Sequence, residues 1–106
     1  AKVKTGEVFM SERPAIRHVV FFSAKDPADV ARIIEGLSLL ADIPHSDVFE
    51  VRRNIRDDAL SGEADVVVYA EFASVEALTA YKAHPLYQES INRVRPLRDL
   101  RIAADF

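Results

Sequence analysis

The chain contains no cysteine, which excludes disulfides, thiolate metal sites and a cysteine nucleophile. Its three glycines are too few for a phosphate-cradling loop, and no Gly-x-Ser-x-Gly or comparable serine-centred motif occurs. No apolar run reaches the ~18 residues of a membrane span and no signal-peptide pattern opens the sequence, so the expected compartment is the cytoplasm, with no membrane partner. A basic excess is also missing. Lys and Arg number 14 against 17 Asp and Glu, a net charge of −3, whereas nucleic-acid binding needs a concentrated basic face. What is present is 106 residues, 49% hydrophobic and 29% charged, the composition of one soluble globular domain.

Residues 1–14 carry no sustained period and are expected to form a flexible N-terminal extension ahead of a domain over 15–106. Met10 followed by Ser11 and Glu12 reads equally as a natural start after an appended stretch or as part of a genuine arm. The β-branched and aromatic run IRHVVFF (16–22) predicts a first strand. Asp26-Pro27 then reads as a helix N-cap with proline in the first turn, and Val30, Ile33, Ile34, Leu37, Leu40 and Ala41 recur at helical spacing. Pro44 stops that helix. Residues 47–55 predict a second strand, and ADVVVYAEF (64–72) a third. Ser74 caps a helix carrying Val75, Leu78 and Tyr81, which is interrupted at His84-Pro85. A further helical stretch over Leu86, Ile91 and Val94 ends at Pro96. The C-terminal segment alternates Leu100, Ile102, Ala104 and Phe106 with Asp99, Arg101, Ala103 and Asp105, the period of a fourth strand. The fold class is α+β: a ferredoxin-like split βαβ, a four-stranded antiparallel sheet with its helices on one face.

Both faces of the central strands are apolar. Ile16, His18, Val20 and Phe22 point one way and Val19 and Phe21 the other; Val66, Val68 and Ala70 oppose Val67 and Tyr69. The helices can cover one face only. The other is roughly several hundred Å² of apolar surface, at or above what a soluble monomer normally leaves exposed. A second copy, sheet against sheet, is the expected cover, giving a homodimer closed as an α/β barrel. The monomeric alternative needs Arg17, Glu50, Arg52 and Glu71 to thin the patch.

The sequence resembles the stress-responsive α/β-barrel (Dabb) family. The matching segments are IRHVVFF, IEGLSLLADIP, FEVRRN, ADVVVYAEF, YKAHPLY and RVRPL, in the expected order over residues 15–106. The resemblance implies a ferredoxin-like fold and a dimer whose two sheets form a barrel. It also implies, from cyclase-type members such as olivetolic acid cyclase, a cavity between sheet and helices lined by histidines and a tyrosine. His18 matches the first-strand histidine, Tyr81 the helix tyrosine and His84 the histidine before the proline. The cyclase's general-base histidine falls on Tyr87 and its third-strand histidine on Val66, two departures from the catalytic pattern.

His18, Tyr81 and His84 are accordingly the candidate catalytic residues, with Val20, Phe22, Val66, Val68, Tyr87 and Ile91 as the candidate ligand-binding walls. Histidine exchanges protons near neutral pH, and a tyrosine hydroxyl can hydrogen-bond a carbonyl or enolate. Tyr81 and His84, three residues apart, share a face if their helix is continuous. The plainer readings are that His84 caps the helix after it, and that His18 is a core histidine satisfied by the backbone or Tyr81. Tyr81 and Tyr87 are then amphipathic core residues. His45 reads as a solvated turn residue. No metal and no cofactor is expected, because the three histidines form no helical or hairpin pair and the carboxylates lack ligand spacing. The arginines at 52, 53, 56, 93, 95, 98 and 101 are interleaved with acids and read as a solvated charged face rather than an anion site. Three functions follow: a carrier of a small hydrophobic or aromatic molecule; a cofactor-free cyclase, isomerase or lyase acting on a polyketide-like or aromatic carbonyl compound; or a purely structural stress protein.

Overall fold

Residues that suit a pleated, half-buried surface build β1 (Ile16–Ala24). The chain then turns through a 3-10 segment at Pro27–Asp29, where the Asp26 carboxylate accepts from the Ala28 amide at 2.9 Å, into α1 (Val30–Leu37). Strands β2 (Val48–Arg53) and β3 (Val66–Phe72) follow, then α2 (Val75–Ala83), α3 (Pro85–Val94) and β4 (Arg98–Asp105). This computed structural model describes residues 14–106; the N-terminal extension expected over 1–14 lies, apart from Pro14, outside the described residues.

The four strands form one antiparallel sheet in the order β2-β3-β1-β4, the split βαβ plan read from the sequence. The first helix is shorter than its apolar period suggests. After Leu37 the chain tightens into a 3-10 segment, Ser38–Asp42. Ser38 Oγ donates to the Ile34 carbonyl at 2.7 Å, and the extended backbone of Ile43 ends the segment just before Pro44. The second strand stops at Arg53, where Asn54 Nδ2 donates across to the Ala64 carbonyl at 2.8 Å.

All helices lie on one side of the sheet. The Cα frame measures 42 × 37 × 15 Å, which leaves room for one sheet and one helical layer. Between them sit Val20, Ile33, Leu37, Val68, Phe72 and Tyr81, all essentially buried. The helices α1 and α3 cross closely at Gly36, where an added Cβ would lie 2.9 Å from Val94 Cγ2. Ser90 Oγ, itself buried, donates to the Gly36 carbonyl there at 3.0 Å.

The opposite face of the sheet has no cover among the described residues. Phe21 is flanked in register by Val67 on β3 and Ile102 on β4, and Phe21, Ile102 and Phe106 are 40%, 53% and 54% exposed. Arg17 lies over the Phe106 ring at 5.7 Å, and its buried Nε has no hydrogen-bond partner among the described residues. The apolar side of β4 therefore turns away from the helices, and Arg101, Ala103 and Asp105 turn toward them, opposite Phe22, Val20 and His18.

One irregularity matters for the site. The β1–β4 ladder pairs Phe22 with Arg101 but Ala24 with Arg98, so β4 carries one extra residue there, a β-bulge. Ser23 is buried and its Oγ accepts the Leu100 amide at 2.9 Å, satisfying a donor that the broken ladder releases.

Candidate functional site

A cavity of about 280 Å³ opens between the sheet and α3. Its floor is the inward face of β1 and β3, with His18, Val20, Phe22 and Val68; its sides are Leu37, Leu40, Tyr81, Tyr87, Ile91 and Val94. Of the expected wall residues, Val66 is the exception. It is fully buried, opposite Phe22 at the end of the β1–β3 ladder, and does not reach the cavity.

His18 and Tyr81 come together here. His18 is 2% exposed, and its Nδ1 donates to the carboxylate of Asp105, its register partner across the β1–β4 ladder. A carboxylate can only accept, so this contact places a proton on Nδ1, and in the neutral imidazole Nε2 is then the acceptor. The ring stands edge-on to Phe72 at 6.2 Å and to Tyr81 at 6.1 Å between centroids. The partner of His18 is therefore neither backbone nor Tyr81, and the acid that orients it comes from the last strand.

Tyr81 is the most enclosed aromatic of the site, packed against Phe72 at 4.9 Å and Tyr87 at 5.3 Å. Tyr81 lines the cavity. Burial, chiefly, and the neighbouring Tyr87 hold its phenol well above the ordinary value near 10, against an opposing pull from Arg101. Tyr81 thus stays a neutral hydrogen-bond donor. In the unfolded chain the phenol ionises near pH 10, so the stability tied to its burial is intact below that pH and is lost as pH rises above it. Urea unfolding at pH 9 and pH 11 should show wild type losing up to about 1.4 kcal/mol per pH unit more than Tyr81→Phe. Parallel losses in the two proteins would show that Tyr81 is not the titrating group.

His84 does not join them. Its backbone is extended, with φ −69° and ψ 142°, so α2 ends at Ala83 and the face that Tyr81 and His84 would share on one helix is broken. Its Nδ1 accepts the Leu86 amide at 3.1 Å and caps α3, and its ring meets that of exposed His45 at 6.1 Å. Among the described residues no group of three or more His, Asp or Glu is placed to hold a metal ion, and no helix is long and apolar enough to cross a membrane.

The residues that sequence reasoning missed are Asp105, Ser90 and three arginines. Arg95, Arg98 and Arg101 line the cavity, while Arg95 and Arg101 are also exposed, as the solvated-face reading expects. The alternation of β4 carried the signal for Asp105 and Arg101: residues 101, 103 and 105 oppose the apolar set, so they needed a place on the helix side.

Comparison with known proteins agrees with this architecture. The model of the Dabb family, the Stress Responsive A/B Barrel Domain, matches residues 16–106. The chain belongs to this family. Among solved structures, this Dabb chain is 25% identical to a dimeric ferredoxin-like protein of unknown function from Thermobifida fusca YX, with 96% of this chain and 98% of that chain covered and a TM-score of 0.74. A Dabb family protein with a ferredoxin-like fold from Mesorhizobium loti MAFF303099 is also 25% identical, over 86% and 93% of the two chains, with a TM-score of 0.72. A dimeric ferredoxin-like protein of unknown function from Jannaschia sp. CCS1 shares the fold at 19% identity, 86% and 96% coverage and a TM-score of 0.75. A search of curated proteins returns no match to this Dabb chain.

Proposed function

We propose that this Dabb protein is a homodimer that binds a small hydrophobic or aromatic molecule in the cavity between its sheet and α3. The observation that carries the binding reading is a space of about 280 Å³ with a mainly apolar floor and polar groups around it, among them His18 and Tyr81 and the arginines of β4. Ligand sites have this character: mostly apolar, with a few placed donors and acceptors, and from roughly 300 Å³ upward in volume. The dimer reading is supported by the uncovered apolar face around Phe21 and by the description of the T. fusca and Jannaschia proteins as dimeric.

A second reading, cofactor-free proton transfer on an aromatic or polyketide-like carbonyl compound, is favoured by the Asp105–His18 contact. An oriented imidazole with a free Nε2 is a base, and neutral Tyr81 is a donor for the developing enolate. Thermal denaturation against a panel of aromatic ketones and acids tests the binding reading. Wild type should show raised melting temperatures, and Ile91→Trp, which fills the cavity, should lose the response. No shift across the panel overturns the binding reading. The same panel separates carrier from enzyme, because only an enzyme speeds deuterium uptake at the α-carbon of a bound ketone such as 1-acetonaphthone. His18→Gln should then abolish that uptake while the thermal response persists.

A further inference from the structure

The geometry points to a carboxylate on the molecule this cavity takes. The inference rests on the binding reading above and narrows it to a class. In a chain whose net charge is −3, the cavity is lined by Arg95, Arg98 and Arg101 and by no Asp or Glu. Of the other described arginines, Arg32, Arg52, Arg56 and Arg93 each sit on a carboxylate of the chain, while Arg17, stacked on Phe106, and Arg53 do not. None of the three at the cavity has such a partner among the described residues.

Their convergence depends on the bulge. Arg98 and Arg101 are three apart, and in an unbroken strand residues an odd number apart face opposite sides of the sheet. The extra residue of β4 between the pairs Phe22–Arg101 and Ala24–Arg98 cancels that alternation, and both arginines line the same space. Arg95, in the turn just after α3, adds a third guanidinium from the other side. Guanidinium groups are planar forks that match carboxylates two bonds at a time, and such charge-assisted pairs are about twice as strong as neutral hydrogen bonds. The apolar floor at Val20, Phe22 and Val68 suits a ring system, and about 280 Å³ suits one or two fused rings. The expected occupant is a small aromatic carboxylate with its acid group at the arginine end and its ring toward His18 and Tyr81.

The test is calorimetric titration of the full chain with 2-naphthoate and its uncharged isostere 2-naphthamide. Naphthoate should bind at least about tenfold more tightly at low salt. That ratio should collapse toward one in the double variant R98Q/R101Q and remain at the wild-type value in Arg93→Gln, whose side chain pairs with Glu89 on the outer face of α3. A measurement on wild type alone guards against a misfolded variant: raising salt to about 0.5 M should weaken naphthoate and leave naphthamide unchanged. Equal affinity for acid and amide overturns the carboxylate and leaves the binding reading intact. A ratio that survives in R98Q/R101Q overturns the role of these arginines. Failure of both probes to bind overturns this inference together with the binding reading.

Discussion

Phe72→Ala is expected to destabilise the protein by about 3–5 kcal/mol. Phe72 is fully buried at the end of β3, on the helix side of the sheet. Its ring holds Tyr81 at 4.9 Å and His18 at 6.2 Å, so the truncation opens a void beneath both polar residues of the site. A domain of this size has about 5–15 kcal/mol in total, and each kcal/mol moves its midpoint by about 4–8 °C. The variant should therefore melt on the order of 20 °C below wild type. Phe72→Leu, which keeps most of the volume, should retain the fold at a much smaller cost. Urea denaturation of the three proteins decides the matter, and a loss below about 1 kcal/mol for the alanine variant would mean that the helical layer collapses onto the void. The cavity's enclosed side is thus also the core's keystone, so substitutions there confound binding with stability.

The second large effect is on assembly. Phe21 lies between Val67 and Ile102 at the middle of the uncovered sheet face and is already 40% exposed in the single chain. Phe21→Glu therefore costs the isolated chain little, whereas a sheet-to-sheet dimer would bury an unpaired carboxylate at its centre, at a cost of several kcal/mol. Light scattering at low micromolar concentration should give twice the chain mass for wild type and 11.9 kDa for the variant, with unchanged far-ultraviolet circular dichroism. A wild-type mass of 11.9 kDa would refute the dimer outright.

Much of this was legible in the residues. Alternation in IRHVVFF and ADVVVYAEF sorts both central strands into two apolar faces, and the paired register of β1 and β3 respects that sorting. His18 stood out because a polar group on an inward strand position needs a reason, and Tyr81 because it matches the family's helix tyrosine; the two line one cavity. His84 was legible only as a choice. Whether it faces Tyr81 or caps the following helix turns on one ψ angle, and Pro85 excludes the helical value for the residue before it. The alternation of β4 puts Asp105 on the helix side, but its partner there, His18, is 87 residues away, and no local pattern encodes that pairing. The arginines read as a solvated face because acids are interleaved with them, and Arg95 and Arg101 are exposed; that Arg98 and Arg101 share a side was not legible, because the bulge that allows it leaves no reliable mark in a single sequence.

That same bulge ties the facing of one arginine to how the last strand pairs. Removing one residue between Arg98 and Arg101 would leave them two apart on an even ladder and keep both on the side of Phe22, whereas a strand of the present length without the bulge would turn Arg98 out to the face that carries Phe21. Relatives could therefore exchange the charge lining this pocket without substituting any arginine. Loss of the bulge at unchanged spacing would suffice, so the pairing of the last strand, as much as the presence of the arginines, decides which face they line.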